Sequence, residues 1–368
     1  NGLYSTLKSA RIIINQCSEG GIDYGNFATK GMAEVLAAYN CALIADMFGD
    51  APCSQAALVD ENGSPVYLTP KMDKQEEIYT QAMQYLDDAI ADLQKEDLID
   101  PGAQDLLYQG DAEKWLKLAY GLKARYTMHL LKRSANKDAD MEKVLEYVDN
   151  SFESAEEQAA FDVYDANNIN PLYGFFVARA GLGASESMRS KLAEYNDPRL
   201  SRAFITKQGA SGKEQAPGTA DNAVYAPNGS PEQGTSKYGT SLFMYSISAP
   251  TLLLSYHELK FLEAEALCRL GRDAKSALKD AVVAGLLNAE NSFSVSRKEL
   301  GKTLINPASS ITDTEAESYF DNTIEAKYTA EPLKTTMIQK YFALWGASGE
   351  ATESYNDVRR MKGLGGSR

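Results

Sequence analysis

The chain is poor in the residues that most often carry chemistry near neutral pH. It has two histidines, His129 and His257, among 368 residues. Imidazole is the side chain that changes charge most readily there, so catalysis or metal binding built on histidine pairs has little to draw on. His257-Glu258 opens a zinc-protease pattern, but the second histidine would fall where Phe261 stands. His129 lies among Met128, Leu130 and Leu131 and reads as a core histidine. Four cysteines make no disulfide framework at this length, and their spacing resembles no zinc site. Cys17, Cys41 and Cys268 fall in helical patterns and read as small buried hydrophobes, while Cys53 falls in a loop. No apolar run approaches the length that crosses a bilayer. Asn1 leads into GLYSTLKSARIII, which has no basic start, apolar stretch or small-residue cleavage site; a mature, a trimmed and an intracellular chain all fit that opening.

Other signatures fail on one residue each. Gly301-Lys302-Thr303 has the tail of a phosphate-binding loop, but Ser296 stands where the leading glycine belongs. Gly183 to Ser187 starts like a nucleophile elbow and lacks its closing glycine. A net charge of -14 repels phosphate backbones and anionic lipid headgroups, so neither nucleic acid nor a membrane surface is an expected partner. No cofactor and no metal ligand set is expected. Carboxylates are plentiful, with 51 acidic residues. A glycosidase needs two carboxyls facing across a cleft. Asp162 with Asp165, and Asp46 with Asp50, are close in sequence but read first as solvated or capping groups.

What the chain has is helical periodicity. At 44% hydrophobic and 24% charged it can bury a sizeable core. Helices are expected over Leu3–Ser18, Phe27–Met47, Lys71–Gln94, Asp111–Arg133 and Ala139–Asn150, with Asp111 as an N-cap. A second helical run covers Thr251–Leu270 and Ala274–Asn288. Residues 288–335 read as a polar, partly disordered link. Two C-terminal helices follow: Met337, Tyr341 and Leu344 repeat at i, i+4 and i+7, as do Ile338, Phe342 and Trp345. Small residues seven apart, Ala82 with Ala89 and Ala277 with Ala284-Gly285, are what close packing in a tetratricopeptide (TPR) helix pair needs.

Residues 151–249 differ. They are rich in Asn, Gly, Ser and Pro, show helical spacing only around Glu186–Tyr195, and contain a mobile-looking stretch, Gly209–Gly234. They also hold many rings. The fold expected is therefore mostly α: one domain, with a TPR-like helical platform (about 1–150 and 250–368) and an irregular insert (about 151–249) carrying the ligand-facing surface. A sugar presents C–H groups on its face and hydroxyls at its rim, which suit a flat ring beside amides and charges. The candidate binding residues are Tyr67, Tyr164, Asn168, Asn170, Tyr173, Phe175, Tyr225, Tyr238 and Tyr245. The competing reading of each ring is a core anchor, and no catalytic residue is nominated.

Six elements, in order, carry a resemblance: FGDAPCSQAA (Phe48–Ala57), PKMDKQEEIY (Pro70–Tyr79), WLKLAYGLKARYTMHL (Trp115–Leu130), NDPRL (Asn196–Leu200), APTLLLSYHELKFLEAEALCRLGR (Ala249–Arg272) and MIQKYFALWGASGEATESYNDVRR (Met337–Arg360). Together they resemble the SusD-like (SusD/RagB) family of surface glycan-binding lipoproteins. The resemblance implies a TPR-bearing helical platform, a place on the outer-membrane surface of a Bacteroidota-type bacterium within a polysaccharide-utilisation system of the starch type, and binding without chemistry. It implies an oligosaccharide ligand, peptide in some members, handed to a SusC-like TonB-dependent transporter. The lipid-bearing cysteine and signal peptide of the family are not in this sequence, and it begins late compared with members, so the anchor is an inference. The signature elements themselves are expected to be scaffold. A TPR-like scaffold for a peptide or protein partner, or a carboxylate-dependent glycosidase, are the alternatives.

Overall fold

Apolar residues at helical spacing become helices over most of the chain. The computed structural model describes residues 2–165, 167–179, 182–206, 215–219, 222–229 and 237–365. These form two compact units, residues 1–159 with 356–368, and residues 160–355. The division differs from the single platform-plus-insert domain expected above.

The first unit opens with α1 (Gly2–Cys17), α2 (Phe27–Phe48), α3 (Gln75–Asp92), α4 (Ala112–His129) and α5 (Lys137–Asp149). Neighbouring helices pack in pairs, α1 on α2, α2 on α3, α4 on α5. Close approach uses small residues: Ala82 and Ala89 are fully buried, and a Cβ on Gly31 would collide with Leu93. Asp111 caps α4, accepting from the N–H groups of Glu113 (3.1 Å) and Lys114 (3.2 Å), as its position in the sequence suggests. The helix α2 corrects one expectation. Its 22 residues are long and apolar enough to cross a membrane, because its many alanines lift hydropathy without forming an obvious apolar run. It is a core helix of the unit, however, with Glu34, Asn40 and Asp46 buried along it.

The second unit contains β1 (Ala159–Phe161, its first residue on the boundary), α6 (Pro171–Arg179), α7 (Glu186–Glu194), β2 (Phe204–Ile205), β3 (Thr240–Ser241), β4 (Thr251–Leu254), α8 (Tyr256–Arg269), α9 (Lys275–Leu300), α10 (Asp313–Tyr319), α11 (Glu325–Ala330) and α12 (Pro332–Ala343). Strands β1 and β4 pair, and β2 pairs antiparallel with β3, Phe204 opposite Ser241. Helices α8, α9 and α12 pack on one another. A Cβ on Gly285 would sit 2.8 Å from the Ala343 Cβ, so glycine there lets α9 and α12 approach.

Rings from the irregular segment close this core. Phe243 stacks on Phe293 of α9 at 4.6 Å and meets the edge of Trp345 at 5.1 Å, and Phe204 lies 5.5 Å from Trp345. Described residues of 160–249, among them Met188, Leu192, Phe204 and Phe243, thus belong to the same core as α8–α12. Three local expectations change. Thr251–Leu254 is a strand with alternating burial, and α8 starts only after the Ser255 cap. The segment 288–335 is mostly helical: α9 runs on to Leu300, and Ala316, Tyr319, Phe320, Ile324 and Tyr328 recur at three- and four-residue steps inside polar sequence. The helix α6 was not anticipated. Of Gly209–Gly234, the described residues 215–219 are tied down, Gln215 to Thr303 (2.6 Å) and Gly218 to Phe204 (2.7 Å); 207–214, 220–221 and 230–236 lie outside the described residues.

The last helix, α13 (Ala351–Gly363), begins in the second unit and ends in the first. Within the first unit Asn356 donates to Asp46 Oδ2 (3.1 Å) and Arg359 to the Asp46 carbonyl (2.9 Å); Tyr79 hydrogen-bonds the other Asp46 oxygen and lies 3.0 Å from His129 Nδ1.

The first unit also makes a pH prediction. Asp73 accepts from the N–H groups of Cys53 (2.8 Å) and Ser54 (2.7 Å), from the Ser54 hydroxyl (2.8 Å) and from Lys71 (3.0 Å). Burial pushes its carboxyl up, but these donors outweigh burial and hold it at about 2, below its ordinary 3.8. A carboxyl depressed on folding stabilises above its unfolded pKa and loses that effect as pH falls through the folded one. Urea unfolding from pH 6 down to pH 2 is expected to show an acid-side loss of about 2 kcal/mol that Asp73→Asn removes, the variant being weaker by a similar amount at neutral pH.

Candidate ligand-binding surface

The nominated side chains separate into three groups by burial. Asn170 is fully buried: its Nδ2 donates to the carbonyls of Ala249 (2.9 Å) and Ala347 (3.1 Å), and its Oδ1 accepts from the N–H groups of Leu172 (2.9 Å) and Tyr173 (3.4 Å). It caps α6 and has no polar group left for a ligand. Tyr238 is 4% exposed, packed beneath Gly183. Both are withdrawn from the ligand-facing set, for a reason the sequence hides: a polar side chain in a Gly- and Asn-rich segment looks the same whether it meets water or the backbone.

Tyr164, Tyr225 and Tyr245 are half-buried. Tyr164 shares a hydrogen bond with the Thr251 hydroxyl (2.6 Å) and meets Phe161 edge-on. Tyr245 packs on Phe176 at 5.3 Å, and its hydroxyl accepts from Gln215 (3.2 Å). Tyr225 rests one edge on Phe204 and carries the Arg189 guanidinium over its face at 5.1 Å.

The exposed group centres on α6. Phe176 turns inward from this helix, which leaves Phe175, its neighbour, 51% exposed and Val177 also outward. Tyr173, half-buried on the same helix, donates to Glu299 Oε1 at the end of α9 (3.3 Å). Just before the helix, Asp165 accepts from the N–H groups of Asn167 and Asn168 (2.7 Å each), which leaves the Asn168 side chain exposed. Those donors, Asn168 first, hold the Asp165 carboxyl low. Burial pushes the hydroxyls of Tyr173, Tyr225 and Tyr245 up, helped by Glu299 at Tyr173 and opposed by Arg189 at Tyr225 and Gln215 at Tyr245. The three phenols are neutral at physiological pH and can donate or accept. Tyr67, 44% exposed, belongs to the first unit, on a loop with the outward residues Val66 and Leu68. Glu299 and Arg189, which position two of the tyrosines, were not nominated; nothing in their local sequence distinguishes them from other helix-surface charges.

Of the four carboxylates considered for hydrolysis three are occupied structurally, and Asp162 is exposed. Asp165 holds its turn, Asp46 binds Tyr79 and Asn356, and Asp50 accepts from Lys74 (2.7 Å) and the Gln75 N–H (3.0 Å). What α6 and the turn before it present is the Phe175 ring face, the neutral Tyr173 hydroxyl and the Asn168 amide.

Polar residues of the signature elements are paired or buried inside the units. FGDAPCSQAA and PKMDKQEEIY join through the Ala51–Asp73 bridge and the Asp73 hydrogen bonds. Asp197 and Arg199 of NDPRL form a buried bidentate pair (2.8 and 2.7 Å), and Arg199 also donates to the Phe342 carbonyl on α12 (2.8 Å). On α8 and α12, Glu258, Glu265, Gln339 and Lys340 are buried. The family model described as starch-binding associating with outer membrane matches residues 1–362. The chain belongs to the SusD-like family. A solved SusD/RagB family protein from Bacteroides thetaiotaomicron is similar to it at 65% identity and TM-score 0.94, covering 100% of this chain and 76% of that one. A chitin-binding protein (22% identity, TM-score 0.72, 97% and 73% covered) and a chitin-binding SusD homologue from Flavobacterium johnsoniae (19%, 0.67, 96% and 71%) share the fold. Among curated proteins none matches. SusD-like membership makes the mostly helical, TPR-like platform and the association with the outer membrane family properties of this chain.

Because the signature is scaffold, Asp197→Ala should act on stability. It strands the Arg199 guanidinium in the interior, a loss of about 3–5 kcal/mol for a buried pair broken on one side. Thermal unfolding should show the drop, with ligand retention unchanged in the fraction that remains folded.

Proposed function

We propose that this SusD-like protein is a non-catalytic nutrient-binding protein that captures oligosaccharides on the α6 surface and delivers them to a SusC-like TonB-dependent transporter, itself held at the cell surface by a lipid anchor. The observation that carries the binding surface is the half-exposed Phe175 ring on the same short helix as Tyr173, with the Asn168 amide beside the helix start. Ring faces cover the C–H face of a sugar, while Asn168, the Tyr173 hydroxyl and Glu299 suit its hydroxyl rim. The starch-binding description of the family and the chitin-binding relatives of the same fold support glycan as the ligand class. Displacing water from sugar hydroxyls offsets much of the stacking gain, so affinity per sugar is modest, which suits a protein that must release its ligand.

Affinity electrophoresis through gels containing starch or soluble chitin oligomers tests this. Phe175→Ala and Tyr173→Ala should each weaken retention by roughly 3- to 10-fold, the range one ring contact supports, without changing the unfolding midpoint by more than a degree or two. Retention unchanged in both variants would remove α6 from the binding surface. Reducing ends released from a retained polysaccharide would overturn the non-catalytic reading.

A further inference from the structure

The first unit holds two thiols in contact. Cys41, on the inner face of α2, and Cys53, in the loop that follows it, are twelve positions apart, fully buried, and their sulfurs lie 3.2 Å from each other. The Cys53 main chain is clamped from both sides: its N–H donates to Asp73 (2.8 Å) and its carbonyl accepts from Arg11 (2.9 Å), which also donates to the Ala56 carbonyl and to Gln81 (3.3 Å). Tyr4 donates to the neighbouring Pro52 carbonyl (2.8 Å). The Cys53 sulfur has a second polar neighbour, Gln81 Oε1, at 3.3 Å. All four cysteines are free thiols, and Cys268 belongs to the other unit.

We infer that Cys41 and Cys53 form a disulfide-forming pair, oxidised by a small or enzymic disulfide of the thiol–disulfide exchange class, which fastens the root of the loop that carries Tyr67 to α2. The contact is about 1 Å longer than the ~2.05 Å of a disulfide, so closure needs only a small side-chain movement within the clamp. Sulfurs held in this way react as if at very high local concentration. A family associated with the outer membrane works outside the reducing cytoplasm, where such bonds persist. The exchange balances without further reagents. The Cys53 thiolate attacks one sulfur of the oxidant disulfide and expels a thiolate. The Cys41 sulfur, on losing its proton, attacks Cys53 in the resulting mixed disulfide and expels the second thiolate. Two protein thiols and one disulfide thus become one protein disulfide and two small thiols, which carry away the two protons. The Cys41 contact and the nearby Arg11 charge oppose the effect of burial on Cys53 and ease its thiolate, while the same contact and burial keep Cys41 protonated. Because both sulfurs are buried, the exchange takes place during folding or when the loop opens.

The test is mass mapping of the full chain incubated with oxidised glutathione, both folded and during refolding from denaturant, then acid-quenched, unfolded and alkylated. The expected result is a mass lower by two hydrogens, a cross-linked Cys41–Cys53 peptide pair, and alkylation confined to Cys17 and Cys268. Oxidation should raise the unfolding midpoint of the wild-type chain by roughly 5–10 °C, the size expected for a short closed loop in a unit of this length, and leave that of Cys53→Ala unmoved. Four alkylated cysteines after refolding, a glutathione adduct that persists on Cys53, or a cross-link to Cys17 or Cys268 would overturn the pairing. A Cys41–Cys53 bond that leaves the midpoint unchanged would overturn its fastening role.

Discussion

The second unit depends on one guanidinium. Arg199 is out of contact with water, and a buried cation must find every partner inside the protein. It finds the Asp197 carboxylate through two hydrogen bonds and the Phe342 carbonyl through a third, while the Tyr319 hydroxyl donates to the same aspartate (3.3 Å). The turn after α7 is thereby tied to α10 and to the end of α12, and α12 packs on α8 and α9. The rings of Phe204 and Phe243 can then close on Phe293 and Trp345. The exposed side of α6 has a fixed backing because Asn170, its cap, is bonded to the Ala249 and Ala347 carbonyls of that same core.

This arrangement explains why many of the residues that carry the family resemblance are committed to the interior. Polar groups in a helical core are costly unless each is matched, so they are tightly specified by their partners. Asp73, Asp197, Arg199 and Glu265 are of this kind, and Glu258, Gln339 and Lys340 are buried with them. Arg269 pairs with Glu265 (2.6 Å), and His257 lies 3.3 Å from Glu350, which also accepts from the Ser348 hydroxyl (2.7 Å). An exposed ring such as Phe175 has no such polar match to make among the described residues, so the packing of the core does not specify its identity. Fold is therefore readable from the signature, while the ligand is not.

The aromatic residues of 160–249 show the limit most directly. Tyr173, Tyr225, Tyr238 and Tyr245 sit in similar Gly-, Ser- and Asn-rich surroundings. They end up bonded to Glu299, sandwiched between Arg189 and Phe204, buried under Gly183, and packed on Phe176. Nothing local sorts them, because each outcome is set by a residue dozens of positions away. The same is true of Cys41 and Cys53: one reads as a small core residue and the other as a loop residue until Arg11 and Asp73 bring them together.

Most of the helices, the Asp111 cap and the family were legible in the amino-acid order, because a 3.6-residue period and a capping side chain act over a single turn. Where polar residues diluted that period, between 288 and 335, or where a helix was short, as at α6, the local signal was too weak and packing decided, against α9 and α12 in the first case and against residues 242–245 in the second. The division into two units, the burial of Asn170 and Tyr238, the outward face of Phe175 and the contact between two thiols belong to the tertiary structure alone, since each depends on what long-range neighbours leave uncovered.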